Sequence, residues 1–73
     1  MRIEEQRKLF GKRLRELRLA RSLSQEKLAE MADLHRNYVG ILERAAQSPS
    51  LDALCKLARA LKIKPAELLD KIP

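Results

Sequence analysis

Arg36 and Asn37 are the side chains in this sequence whose chemistry is easiest to assign. A guanidinium can make two parallel hydrogen bonds to guanine, and a carboxamide can do the same to adenine. Both lie in residues 25–44, QEKLAEMADLHRNYVGILER, among apolar and small residues at helical intervals. Leu28 and Ala32 form one stripe, Val39 and Leu42 a second, with a short break at Asp33 and Leu34. That spacing predicts two short helices packed at a steep angle, a helix-turn-helix. Ala29 falls where the helices would cross, and a larger side chain there would push them apart. The second helix then turns Arg36, Asn37, Gly40 and Ile41 outward, as a recognition helix does toward a DNA groove. Gly40 costs a helix roughly 1 kcal/mol relative to alanine. Close backbone approach to a ligand and drift on a solvent face both explain it. Ile41 stands outside the Val39/Leu42 stripe, where it would either touch a thymine methyl group or remain an isolated exposed apolar residue.

The elements that must position this motif follow from the same periodicity. Residues 4–21 read as a first helix with Phe10, Leu14 and Leu17 on one face. Leu9 extends that face and Leu19 falls off it. Ser24 is a good N-cap for the second helix, with Gln25 and Glu26 in its first turn. Asp33 occupies a turn position that calls for left-handed backbone, which Asp tolerates better than most residues. The third helix is expected from near His35 to about Arg44. AAQSPS breaks the pattern, and Ser50 caps a fourth helix at residues 51–61. Pro65 sits in the first turn of a short fifth helix, where proline is tolerated. The expected fold class is all-α: a compact five-helix bundle forming one domain over residues 1–73, with the helix-turn-helix at 25–44.

Composition narrows the function classes. A chain of 73 residues holds one small domain. Its 14 leucines stand against one Phe and one Tyr, which suits packed helices. The net charge of +6 is uneven, with eight basic and three acidic residues in positions 1–21. Such a balance suits a polyanion, most often nucleic acid, and the helix-turn-helix spacing favours that over a merely solvated surface. A basic helix can also lie on an anionic membrane, but every later segment here has a packing face of its own. No apolar run approaches the length of a bilayer span.

Cys55 is the only cysteine and His35 the only histidine, so no intrachain disulfide or thiolate metal cluster is expected. Cys55 lies between Leu54 and Leu57 and reads as an inert thiol, since a redox switch wants a cationic pocket. Catalysis would want converging titratable groups. None converge, so an enzyme, a cofactor and a metal are all unexpected. Readers of single-stranded RNA use aromatic stacking platforms, which are scarce here. The charged N-terminal stretch shows no secretory signal, and the expected setting is a bacterial or phage-encoded cytoplasmic protein.

LSQEKLAEMADLHRNYVGILER, followed by SPSLDALCKLARALKIKPAELL, resembles the Xre/Cro phage-repressor type of helix-turn-helix domain, a lambda-repressor-like fold, over residues 10–70. RKLFGKRLRELR and HRNYV look most like the controller proteins of restriction–modification systems. The resemblance implies that Gln25 reaches a DNA phosphate and braces the recognition helix, and that Arg36 and Asn37 read base edges. It also implies that Arg18 and Glu43 form a buried ion pair tying helix one to helix three. His35 is assigned an N-capping or phosphate-contacting role. Tyr38 either donates its hydroxyl to a phosphate or simply packs its ring. Ala45 and Ala46 depart from the family, which usually places Gly and then a basic or polar residue there. That removes the easy left-handed C-cap and one candidate phosphate contact. Asp33 and Lys62 also stand where glycine is common. Arg44, Gln47 and Ser48 remain as phosphate donors, with Lys12 on helix one.

One recognition helix reads too few base pairs for useful discrimination. The expectation is therefore a sequence-specific regulator that binds double-stranded DNA as a homodimer. Its operator would be a palindrome with half-sites about 10 bp apart or a multiple of that; the resemblance points to control of a restriction–modification operon. The dimer interface is assigned to residues 51–73, through Leu51, Cys55, Ile63, Leu69 and Ile72, unless these complete the monomer core. An activator would also need a patch for RNA polymerase, which Glu30 and Asp33 could supply. The alternative is an antitoxin-type interaction module that also represses its own operon.

Overall fold

A computed structural model describes all of residues 1–73 as five helices without a strand. They are α1 (Ile3–Ala20), α2 (Gln25–Met31), α3 (Tyr38–Glu43), α4 (Leu51–Leu61) and α5 (Pro65–Leu68). The Ser24 side chain accepts the Lys27 amide at 2.9 Å and Ser50 accepts that of Ala53 at 3.0 Å, which fixes where α2 and α4 begin. Pro65 opens α5 in the position where its missing N–H is harmless. Phe10, Leu14, Leu28, Val39, Leu42, Leu57, Leu61 and Leu68 are all buried, so every helix contributes to one core. Ala29 is fully buried in α2, as a crossing residue must be.

Two elements differ from the sequence expectation. α1 is shifted by one residue at each end, an ordinary uncertainty of helix termini. α3 is shorter at its start, because residues 35–37 form a turn rather than its first turn of helix. The His35 ring accepts the Asn37 amide through Nδ1 at 3.1 Å, and the Tyr38 amide bonds back to the His35 carbonyl. The Ile41 amide makes the first regular helical bond, to the Asn37 carbonyl at 3.1 Å. At its other end α3 stops at Glu43, with Arg44 as its C-cap.

α1, α2, α3 and α4 end in the same way. The residue after the C-terminal turn is left-handed, at Ser22, Asp33, Ala45 and Lys62. The next amide reaches back to close the helix, from Leu23 to Arg18, Leu34 to Ala29, Ala46 to Ile41 and Ile63 to Ala58. This is the Schellman arrangement, which usually uses glycine. Here neither glycine takes a positive φ, and all the left-handed positions carry side chains. Leu23, Leu34 and Ile63, each following a left-handed residue, pack onto the core and hold three of these turns in place.

Gly11 serves helix packing instead. A Cβ at Gly11 would lie 2.7 Å from the Leu42 carbonyl oxygen and 2.8 Å from that of Glu43. The backbones of α1 and α3 therefore cross at a separation that only glycine allows. Gly11→Ala is expected to lower stability by roughly 1–3 kcal/mol, the usual range for overpacking, measured as a fall in urea midpoint. An unchanged midpoint would mean that the crossing relaxes freely. Lys62→Gly should instead raise stability by about 0.5–1 kcal/mol, the relief of left-handed strain less the added chain entropy. A loss would show that the lysine side chain stabilises the fold by more than its backbone strain costs.

Candidate nucleic-acid interface

The site is built outward from a buried charge. Arg18 projects from α1 toward α3, where its Nε donates to Glu43 at 2.7 Å and its Nη2 to the other carboxylate oxygen at 3.0 Å. The two side chains are only 7% and 4% exposed. The remaining nitrogen, Nη1, donates to the Leu23 carbonyl at 2.7 Å, closing the turn before α2. Gln25, first residue of α2, donates through Nε2 to the same carboxylate at 3.0 Å. No buried side-chain polar atom in the protein lacks a partner.

The hydrogen bonds that Arg18 donates to Glu43 raise the Arg18 pKa above its ordinary value; burial opposes this and the negative charge of Glu43 adds to it. The stabilisation is thus fully present below arginine's ordinary pKa and is lost only at still more alkaline pH.

This network carries the surface above it. Gly40 is buried in α3, and a Cβ there would lie 3.1 Å from the Gln25 carboxamide oxygen and 3.0 Å from the Arg44 guanidinium. The close approach for which a glycine suits this place is thus made to the protein's own side chains. Arg36 and Asn37 are exposed in the turn that leads into α3. His35 is exposed; its Nδ1 acts as acceptor, which leaves Nε2 as the donor. Tyr38 and Ile41 are half-buried, and the Tyr38 ring packs against the core. After α3, Arg44, Gln47 and Ser48 are exposed, and Ala45 is left-handed without help from glycine.

Other expected residues lie elsewhere. Lys12 shares a shallow depression with Leu9, Glu16, Asp70 and Lys71, beside the C-terminal end. Leu51 is 74% exposed and Leu69 is 41% exposed. Cys55 is exposed as well. Ile63 and Ile72 are partly buried and pack on the core, which is the competing role the sequence left open for them.

Sequence reading passed over Gly11, Arg7 and Arg13. Arg7 Nε donates to the Ser48 hydroxyl at 3.1 Å, and Arg13 Nε donates to the Glu67 carbonyl at 2.9 Å. A signal for two of them was present, since Arg7, Gly11 and Arg18 fall on one side of a helix. No three or more His, Cys, Asp or Glu side chains are grouped to hold a metal, and no helix is long and apolar enough to cross a membrane.

Comparison with known proteins agrees with this geometry. A family model described as helix-turn-helix, HTH_3, matches residues 14–68. Control protein C.BamHI from Bacillus amyloliquefaciens is 48% identical over 65 residues, covering 88% of this chain and 80% of that protein. Control protein C.SmaI from Serratia marcescens is 37% identical over 65 residues, covering 89% and 77%. The crystal structure of the restriction–modification controller protein C.AhdI from Aeromonas hydrophila superimposes with a TM-score of 0.82 at 53% identity. That match covers 85% of this chain and 94% of the controller.

Arg18→Met would leave Glu43 buried without its main partner and should destabilise by about 3–5 kcal/mol. Arg18→Met combined with Glu43→Leu should recover most of that loss in urea unfolding. A double variant as unstable as the sum of both single ones would show that the pair does not act as a unit.

Proposed function

The chain belongs to the helix-turn-helix family of DNA-binding transcription regulators, and from that premise we propose that it acts as a homodimer on a palindromic operator and controls a restriction–modification operon. The observation that carries this reading is the exposed Arg36–Asn37 pair, held in a short turn ahead of a helix that α1 fixes through Arg18 and Glu43. Arg36 and Asn37 read base edges in the major groove, and Ile41 lies one turn on from Asn37 on α3. Gln25, His35, Tyr38, Arg44 and Gln47 surround this turn and contact phosphates, and Ser48 lies in the same loop as Gln47. Gly40 contributes by bringing Gln25 and Arg44 close to the α3 backbone.

A second copy of the chain covers the apolar surface around α4 and the C-terminal end. Phe10, Pro49, Leu54, Leu69 and Ile72 line a groove of about 240 Å³ there, and Leu51 is the most exposed large apolar residue in the protein. A twofold axis through this surface would place two recognition helices on one face of a duplex. The similarity to controller proteins of other bacteria supports the restriction–modification assignment.

Selection of bound duplexes from a random library near physiological salt tests the reading. Enrichment of a palindrome with half-sites about one helical turn apart is expected, and uniform recovery of all sequences would contradict it. On the selected duplex, Arg36→Ala should cost about 1–3 kcal/mol and relax preference at one base pair. An equal loss on every sequence would make Arg36 a phosphate contact.

A further inference from the structure

α1 presents two arginines on the side that faces α3, on either side of Gly11. Arg18 holds Glu43 at the end of α3. Eleven residues earlier, just over three full turns, Arg7 bonds Ser48 in the segment after α3. That segment runs from the left-handed Ala45 to the Ser50 cap of α4. Ala46 offers no polar side chain, and Pro49 restrains Ser48 to extended backbone. The Arg7–Ser48 bond is therefore the side-chain link that ties residues 45–48 to the first helix.

We propose that Arg7 is a positioning residue for DNA binding, which acts by holding Ser48 and so setting residues 45–48 against the DNA backbone. The proposal rests on the DNA-binding reading given above. Arg7 also lines the apolar groove beside Phe10 and Pro49, so it stands where the dimer surface meets this loop. A planar guanidinium suits this role, because its Nε–H is directed at the serine oxygen while the stem lies along the groove. The missing family glycine at position 45 makes such a tether useful. An alanine held in left-handed backbone without a tether would release the strain by moving the loop.

The experiment compares wild type, Arg7→Gln, Ser48→Ala and the double variant. Affinity is measured on a selected duplex, and exchange of the Ala46 amide, which bonds the Ile41 carbonyl, is followed without DNA. Ser48→Ala should weaken binding about three- to tenfold when Arg7 is present, the range for one exposed hydrogen bond. It should have no further effect when Arg7 is already Gln, and Ala46 should exchange faster in Arg7→Gln. Equal effects of Ser48→Ala in both backgrounds would make Ser48 an independent phosphate contact and overturn the proposal. So would an unchanged Ala46 exchange rate. Faster exchange in a protein whose wild type binds no duplex would keep the tether and sink the DNA-binding reading instead.

Discussion

A guanidinium that cannot give up its charge is buried between α1 and α3, and much of the structure is arranged around satisfying it. Arg18 needs a carboxylate, which Glu43 brings from α3, and a carbonyl, which Leu23 brings from the α1–α2 turn. Glu43 accepts a further bond from Gln25 at the head of α2. One network thus joins α1 to both helices of the helix-turn-helix. The net stability of such pairs is small, because desolvation offsets most of the Coulomb attraction. The pair matters chiefly for geometry, since it holds α3 in one orientation beneath the residues that face solvent.

The reach of Arg18 in turn requires close backbones. Gly11 supplies that closeness, with the carbonyls of Leu42 and Glu43 where a Cβ would otherwise stand. Gly40 does a similar thing within α3, under Gln25 and Arg44. Both glycines are thus committed to packing, and the left-handed helix ends fall to Ser, Asp, Ala and Lys. The protein accepts local strain at its turns, and core packing by Leu23, Leu34 and Ile63 compensates it.

Much of this was legible in the sequence, for identifiable reasons. The Leu28/Ala32 and Val39/Leu42 stripes placed α2 and α3, and Ser24 and Ser50 marked helix starts because a serine hydroxyl can accept an unpaired first-turn amide. The left-handed Asp33 followed from its place between two apolar runs. The start of α3 did not follow, because a histidine ring that captures an amide two residues on leaves no mark in hydrophobic periodicity. Gly11 was silent for a related reason: a glycine inside a strong helical pattern shows its partner only once α3 is set beside it. Arg7 and Arg13 carried no local signal either, because each bonds a residue more than 40 positions away. The partly buried Ile63 and Ile72 were indistinguishable by composition from the exposed Leu51 and Leu69.

If a rigidly held α3 presents its leading turn to DNA, that turn must feel the duplex first and most strongly. Mapping amide chemical shifts while the protein is titrated with a selected duplex reads this residue by residue. The largest changes are expected at Gln25, residues 35–41 and residues 44–48, with Leu51 and Asp70 little affected. Changes confined to α4 and α5, with residues 35–41 unmoved, would contradict this mode of binding.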